Sequence, residues 1–196
     1  MTDVMIIDGA RTPMGGLLGD LADATANELG TTAISATLER SSARADAIDE
    51  VFMGCVLPAG LKQCPARQAM LGAGIPNTTG AVTINKACGS GMQATIFAAD
   101  SITAGTNQLV ISGGLESMSN APQLLMGQRK GAKMGDSTLV DSMIHDGLWD
   151  VYNDVHMGTT GETIAEECNI DRTTMDAFAA RSQQRAAEAC SARGRR

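Results

Sequence analysis

Five cysteines and two histidines carry most of the nucleophilic and metal-binding capacity of this 196-residue chain. One of them, Cys88, has a setting suited to chemistry. The run Val82-Thr83-Ile84-Asn85-Lys86-Ala87-Cys88-Gly89-Ser90-Gly91-Met92 reads as a buried strand, a tight turn and a helix start. The sulfur therefore sits at a helix N-terminus, where unpaired N–H groups and the helix dipole favour an anion. The thiolate is the nucleophilic form of cysteine. The flanking glycines let a substrate approach the backbone closely. On residues alone, two readings stand: a nucleophile, or a small residue filling a tight turn. The other cysteines are Cys55, Cys64, Cys168 and Cys190. Their number is odd, no C-x-x-C pair occurs, and only His145 and His156 could join them, so no metal site is expected. A disulfide scaffold is not expected either, and the default compartment is reducing, hence cytoplasmic.

Positioning such a cysteine takes an α/β layer, and the pattern supplies one. Val4-Met5-Ile6-Ile7 reads as a short buried strand. A helix from Thr25 to about Glu39 opens with a Thr25/Glu28 capping box. Ile48–Leu57 contains a second strand, Pro65–Leu71 a short helix, and Ala81–Asn85 a third strand. The helix Gly89–Ala104 and a fourth strand, Gln108–Ser112, complete the alternation. This order argues for a mostly parallel mixed sheet with helices on both faces. From about Ser119 the texture becomes loop-rich. Two closing helices are expected, one with a capping box of Thr159 and Glu162, the other over Arg172–Ala189. The resulting division is an α/β half over 1–118, a partial loop-rich helical subdomain over 119–190, and a frayed tail over 191–196.

The helix after Cys88 carries no charge from Cys88 to Ala99 and is small or apolar on every face. Such a helix is buried on every face. One sheet covers one side of it, so a further layer must cover the other.

Composition narrows the function classes. The net charge is −7, which argues against a broad nucleic-acid footprint. No uncharged run has the character of a membrane helix; the longest, Gln68–Asn85, is interrupted by Pro76 and three glycines. Met1-Thr2-Asp3 opens directly into the first strand-like run, so no signal peptide is expected. The chain has 22 glycines and 12 methionines but only five aromatic residues, which favours tight strand–helix contacts over an aromatic core.

The segment Asn85-Lys86-Ala87-Cys88-Gly89-Ser90-Gly91-Met92-Gln93-Ala94 resembles the active-site cysteine signature of the thiolases, most nearly the acetyl-CoA acetyltransferases. Other stretches resemble family motifs in family order. They include Ala10-Arg11-Thr12-Pro13, Gly54 with Val56-Leu57-Pro58-Ala59-Gly60, and Pro65-Ala66-Arg67-Gln68-Ala69. Gly113-Gly114-Leu115-Glu116-Ser117-Met118-Ser119, Lys133-Met134-Gly135-Asp136 and His156-Met157-Gly158-Thr159-Thr160 continue the series. The resemblance covers about residues 4 to 189.

The resemblance implies a thiolase-like N-terminal α/β half, with Cys88 taking an acyl group from acyl-CoA as a thioester. The Cys88 N–H would serve one oxyanion hole. Leu148, His156 and Met157 would line the pantetheine and acyl pocket. The basic loop over 128–135 would support homo-oligomer assembly. Coenzyme A thioesters would be substrates, with no separate cofactor. The family reaction joins two acetyl-CoA into acetoacetyl-CoA, or runs the reverse thiolysis.

A Gly-His-Pro element and a Cys-x-Gly-Gly-Gly element, which in the family belong to a second half, do not occur in the sequence. The expectation is therefore a truncated acetyl-CoA acetyltransferase without thiolase turnover of its own. The alternative is a non-catalytic half-thiolase module that pairs with a separate second half. A decarboxylating condensing enzyme of the same fold is a third reading, disfavoured by the His156–Thr160 and Gly113–Ser119 segments. Residues outside this machinery read as structural. Glu116 reads as a paired carboxylate, His145 as a surface residue, Arg129, Lys130 and Lys133 as a solvated turn, and Cys55 and Cys64 as packing substitutions or oxidisable thiols.

Overall fold

The computed structural model describes residues 3–193. The chain forms two compact units, one ending at Gly147 and one beginning at Leu148.

The first unit is built on three parallel strands. These are β1 (Glu50–Gly54), β2 (Gly80–Ile84) and β3 (Val110–Gly114), in spatial order β2-β1-β3. The registers Glu50↔Gly80 and Glu50↔Val110 align all three strands at the same end. Parallel strands need crossover connections, and helices α2 (Pro65–Gly72) and α3 (Ser90–Thr103) supply them. Helix α1 (Ala26–Ser41) precedes the sheet. Its Thr25 hydroxyl accepts from the Glu28 N–H while the Glu28 carboxylate accepts from the Thr25 N–H, the expected capping box.

Alternation along β1 separates the two faces. Val51, Met53 and Cys55 are almost fully buried, in one cluster with Ala26 and Ile34 of α1 and with Ala66, Ala69 and Met70 of α2. Phe52 points the other way and meets Phe97 of α3 edge to face, with ring centroids 6.4 Å apart. The sheet therefore has α1 and α2 on one face and α3 on the other, as the alternation predicts. Asp49 ties the strand starts together, since its carboxylate accepts from the N–H groups of Gln108 and Leu109.

One expected strand does not form. Val4–Ile7 forms no regular secondary structure and belongs to no ladder, and Met5, Ile6 and Ile7 are 78%, 86% and 66% exposed. Among the described residues β3 pairs only with β1. The segment lies across a cleft from β3 rather than bonded to it. A run of apolar residues becomes a strand only when a neighbour offers its backbone groups.

After β3, β4 (Gln123–Leu125) and β5 (Leu139–Asp141) form an antiparallel pair. A π-helical turn, Met143–Leu148, follows. The second unit holds the hairpin β6 (Trp149–Asp150) and β7 (Val155–His156), then α4 (Met157–Glu167) and α5 (Arg172–Arg193). The expected Thr159/Glu162 box is not made. His156 caps α4 instead, its Nδ1 accepting from the Gly158 N–H at 3.0 Å, so Thr159 falls inside the helix. At α5 the Asp171 carboxylate accepts from the Thr174 N–H, which holds its carboxyl below the ordinary range. This helix runs past the expected end at Ala189 to Arg193. The rest of the expected tail lies outside the described residues. No helix among the described residues is long and apolar enough to cross a membrane.

Candidate active site at the Cys88 turn

The turn that carries Cys88 is over-determined by hydrogen bonds. Strand β2 ends at Ile84 and α3 begins at Ser90, leaving five residues to reverse direction. Ala87 takes a left-handed conformation at φ 46°, which is costly for a residue with a Cβ. Three contacts hold it there. Asn85 Oδ1 accepts the Ala87 N–H at 3.0 Å, an Asx turn. Ser90 Oγ donates to the Ala87 carbonyl at 2.6 Å and accepts from the Lys86 N–H at 2.8 Å. The Ser90 N–H donates to the same Ala87 carbonyl at 3.1 Å.

Cys88 lies at the crest, exposed, two residues before the first turn of α3. Among the described residues no side chain hydrogen-bonds to its sulfur. Lys86 is directed along α3, its Nζ donating to Gln93 Oε1. The arrangement can present a nucleophile beside the unpaired N–H groups of a helix N-terminus.

Close approach fixes where that N-terminus sits. A Cβ placed on Gly54, at the end of β1, would lie 2.6 Å from the Gly91 nitrogen and 2.7 Å from Ser90 Cβ. Only glycine lets α3 start against the sheet here. Asn85, Ala87 and Gly54 carry no assigned role in the sequence reading. The Asn85-x-Ala87 spacing and a glycine at a strand end are the signals that mark them.

Glu116 is structural, as expected. It accepts from the N–H groups of Val56 and Leu57 at 2.8 and 3.0 Å, closing the loop that follows β1. Cys55 donates its S–H to the same carboxylate at 3.5 Å and is 1% exposed. Burial, then the Glu116 charge, push the Cys55 thiol up to about 12. This thiol is neither a surface group nor a nucleophile at neutral pH. Cys64 is half-buried at the start of α2, its sulfur 3.6 Å from the Ala81 carbonyl oxygen.

The remaining expected site residues belong elsewhere. Leu148 ends the π-helical turn and opens the second unit. Trp149 pairs with His156, which puts Leu148 and Met157 at the same open end of the β6–β7 ladder. Within the second unit these three residues are thus neighbours. Leu148 is half-buried, while His156 and Met157 are exposed. Cys88 is part of the first unit. His145 is exposed, and so is the loop over 128–135, where Met134 is 97% exposed.

Comparison with known proteins agrees with this geometry. Residues 4–194 match the family described as Thiolase, N-terminal domain. The chain belongs to the thiolase family. An acetyl-CoA acetyltransferase of Cupriavidus necator is 52% identical over 186 residues, which is 95% of this chain and 47% of that protein. Acetyl-CoA acetyltransferase 2 of Arabidopsis thaliana is 51% identical over 93% of this chain and 45% of its own length. A probable acetyl-CoA acetyltransferase of Escherichia coli is 48% identical over 98% and 49%. The chain spans about half the length of these curated relatives.

Proposed function

We propose that this chain carries the acyl-accepting half of a thiolase site of acetyl-CoA acetyltransferase type. The supporting observation is Cys88, held exposed at a braced left-handed turn against the start of α3, in a chain about half identical to acetyl-CoA acetyltransferases. In the proposed step the Cys88 sulfur, as thiolate, attacks the acetyl carbonyl carbon of acetyl-CoA. A carbon–sulfur bond to Cys88 forms, the bond to the coenzyme A sulfur breaks, and coenzyme A leaves as thiolate and takes up a proton. Backbone N–H groups around the start of α3 face the negative charge that develops on the carbonyl oxygen. The Cys88 N–H is the donor the family resemblance assigns. Leu148, His156 and Met157 serve the pantetheine and acyl chain, and the loop over 128–135 serves subunit assembly.

The condensing step has a further requirement. A proton must leave the α-carbon of a second acetyl thioester, and general-base help there is worth about 10²–10⁴-fold. Among the described residues no base is hydrogen-bonded to Cys88. The chain alone therefore acylates Cys88 without turning over. The test is incubation with acetyl-CoA followed by peptide mass analysis, beside an assay of acetoacetyl-CoA cleavage. Acetyl on Cys88 with negligible cleavage supports the reading. Cleavage at the rate of a full-length relative overturns the half-site account.

A second reading, a module that assembles with another half, draws on one observation. Met92, Ile96 and Phe97 of α3 are 74%, 45% and 42% exposed, on a helix that carries no charge before Asp100.

A further inference from the structure

The peptide unit between Ala87 and Cys88 is held in one orientation, and a single residue holds it. The Ala87 carbonyl accepts from the Ser90 hydroxyl at 2.6 Å and from the Ser90 N–H at 3.1 Å. The same hydroxyl oxygen accepts from the Lys86 N–H at 2.8 Å, so one side chain closes both ends of the turn. The preceding peptide is fixed as well. The Gly89 N–H donates to the Lys86 carbonyl, and Asn85 Oδ1 accepts from the Ala87 N–H.

Ser90 is itself anchored. It is 4% exposed and sits where the end of β1 has no room for a Cβ on Gly54. Asn85 is tied outside the turn too, its Nδ2 donating to the Val56 carbonyl at 3.3 Å. The orientation of the turn is thus imposed from the sheet.

The consequence falls on Cys88. In a trans peptide the C=O and N–H bonds point in opposite directions. With the Ala87 carbonyl drawn to Ser90, the Cys88 N–H is turned away from Ser90. From Lys86 to Ser90, four of the five N–H groups have an acceptor. The Cys88 N–H has none among the described residues, and it adjoins the exposed sulfur.

We infer that Ser90 is a positioning residue for acyl transfer, whose hydroxyl holds the Ala87–Cys88 peptide so that the Cys88 N–H meets the thioester oxygen as negative charge develops there. It rests on the acylation of Cys88 proposed above. Ser90 acts through the Cys88 N–H and bonds neither the substrate nor the sulfur. A donor aimed in advance needs no reorganisation at the moment of reaction. The nucleophilicity of the sulfur and the stabilisation of the oxyanion are then separate properties of the turn, and Ser90 serves the second.

The test compares two reactions of Cys88 in the native chain and in Ser90→Ala. Acetylation by acetyl-CoA passes through an oxyanion. Alkylation by iodoacetamide does not, because the sulfur displaces iodide from a saturated carbon. Peptide mass analysis reads both rates at Cys88, and the pH dependence of alkylation reads its thiolate fraction. Expected in Ser90→Ala is acetylation slower by about tenfold or more, up to the roughly 10²–10³-fold effect of a lost oxyanion donor, with alkylation within about twofold and its pH midpoint unmoved. Amide hydrogen exchange of the native chain needs no variant. The Cys88 amide should exchange roughly tenfold or more ahead of the Ala87, Gly89 and Ser90 amides, relative to their intrinsic rates. Equal acetylation in Ser90→Ala, a parallel fall in acetylation and alkylation, or a protected Cys88 amide overturns the role of Ser90 and leaves the acylation of Cys88 standing. Alkylation without acetylation in the native chain overturns the acylation of Cys88, and the role of Ser90 with it.

Discussion

The two faces of the central sheet are built to different degrees of closure. On the α1/α2 side, Val51, Met53, Met70 and Ala69 are 0–2% exposed and interlock in a single cluster. On the α3 side, the helix buries Ser90, Ala94 and Ala98 against the strands and leaves Met92, Ile96 and Phe97 open. The closed face stabilises the unit. The open face carries the Cys88 turn, which begins the helix that is covered on one side only. On the proposed reading of Cys88, stability and chemistry are divided between opposite surfaces of three strands.

The sharpest way to break this contrast is paired truncation. Met70→Ala, on the closed face, is expected to cost about 2–5 kcal/mol. Met92→Ala, on the open face, should stay within roughly 0.5 kcal/mol. Urea denaturation followed by circular dichroism measures both, and equal losses would remove the distinction.

Alkaline titration probes the closed face without a cavity. The Cys55 thiol is raised to about 12 in the folded chain against an ordinary value near 9. Its contribution is complete below the ordinary value and is lost as pH rises through the folded one. Stability should therefore fall between about pH 9 and 12 in the native chain and less steeply in Cys55→Ala. Parallel slopes would place Cys55 in solvent.

Gly54→Ala tests the junction between the faces. A methyl 2.6 Å from the Gly91 nitrogen must push α3 off the sheet, at a cost of about 1–3 kcal/mol. Acylation of Cys88 should fall with it. Unchanged acylation would separate the turn from the seating of the helix.

The smallest expected effect is at the turn itself. Asn85→Ala removes the acceptor for the Ala87 N–H and is expected to cost about 1 kcal/mol. Ala87→Gly relieves the left-handed conformation and should recover a similar amount in that background. Thermal melts of the single and double variants decide whether the two act together.

These particulars also show what the sequence could reveal. The Cys88 turn was legible because a buried run, a cysteine and Gly-Ser-Gly follow one another within a few residues. The absence of charge up to Ala99 predicts a helix buried on every face, but the sheet covers only one side of α3 and Met92, Ile96 and Phe97 are exposed. The left-handed Ala87 was not legible, since alanine carries no preference for that conformation and only the Asn85 and Ser90 contacts impose it. Val4–Ile7 misled for a related reason. Its composition is that of a strand, but pairing depends on a neighbour that lies beyond local sequence. His156 displaced Thr159 as the cap of α4 because its imidazole nitrogen reaches the Gly158 N–H directly, a contact that capping statistics for Thr and Glu do not anticipate.

The central claim is that the Cys88 turn takes an acyl group from a coenzyme A thioester. Cys168 and Cys190 are exposed as well, and they serve as internal controls. Time-resolved mass analysis of cysteine peptides after addition of acetyl-CoA tests the claim directly. The expected result is acetyl accumulating on Cys88 well before Cys168 or Cys190, and none at that position in Cys88→Ala. Equal acetylation of all three exposed cysteines would contradict it.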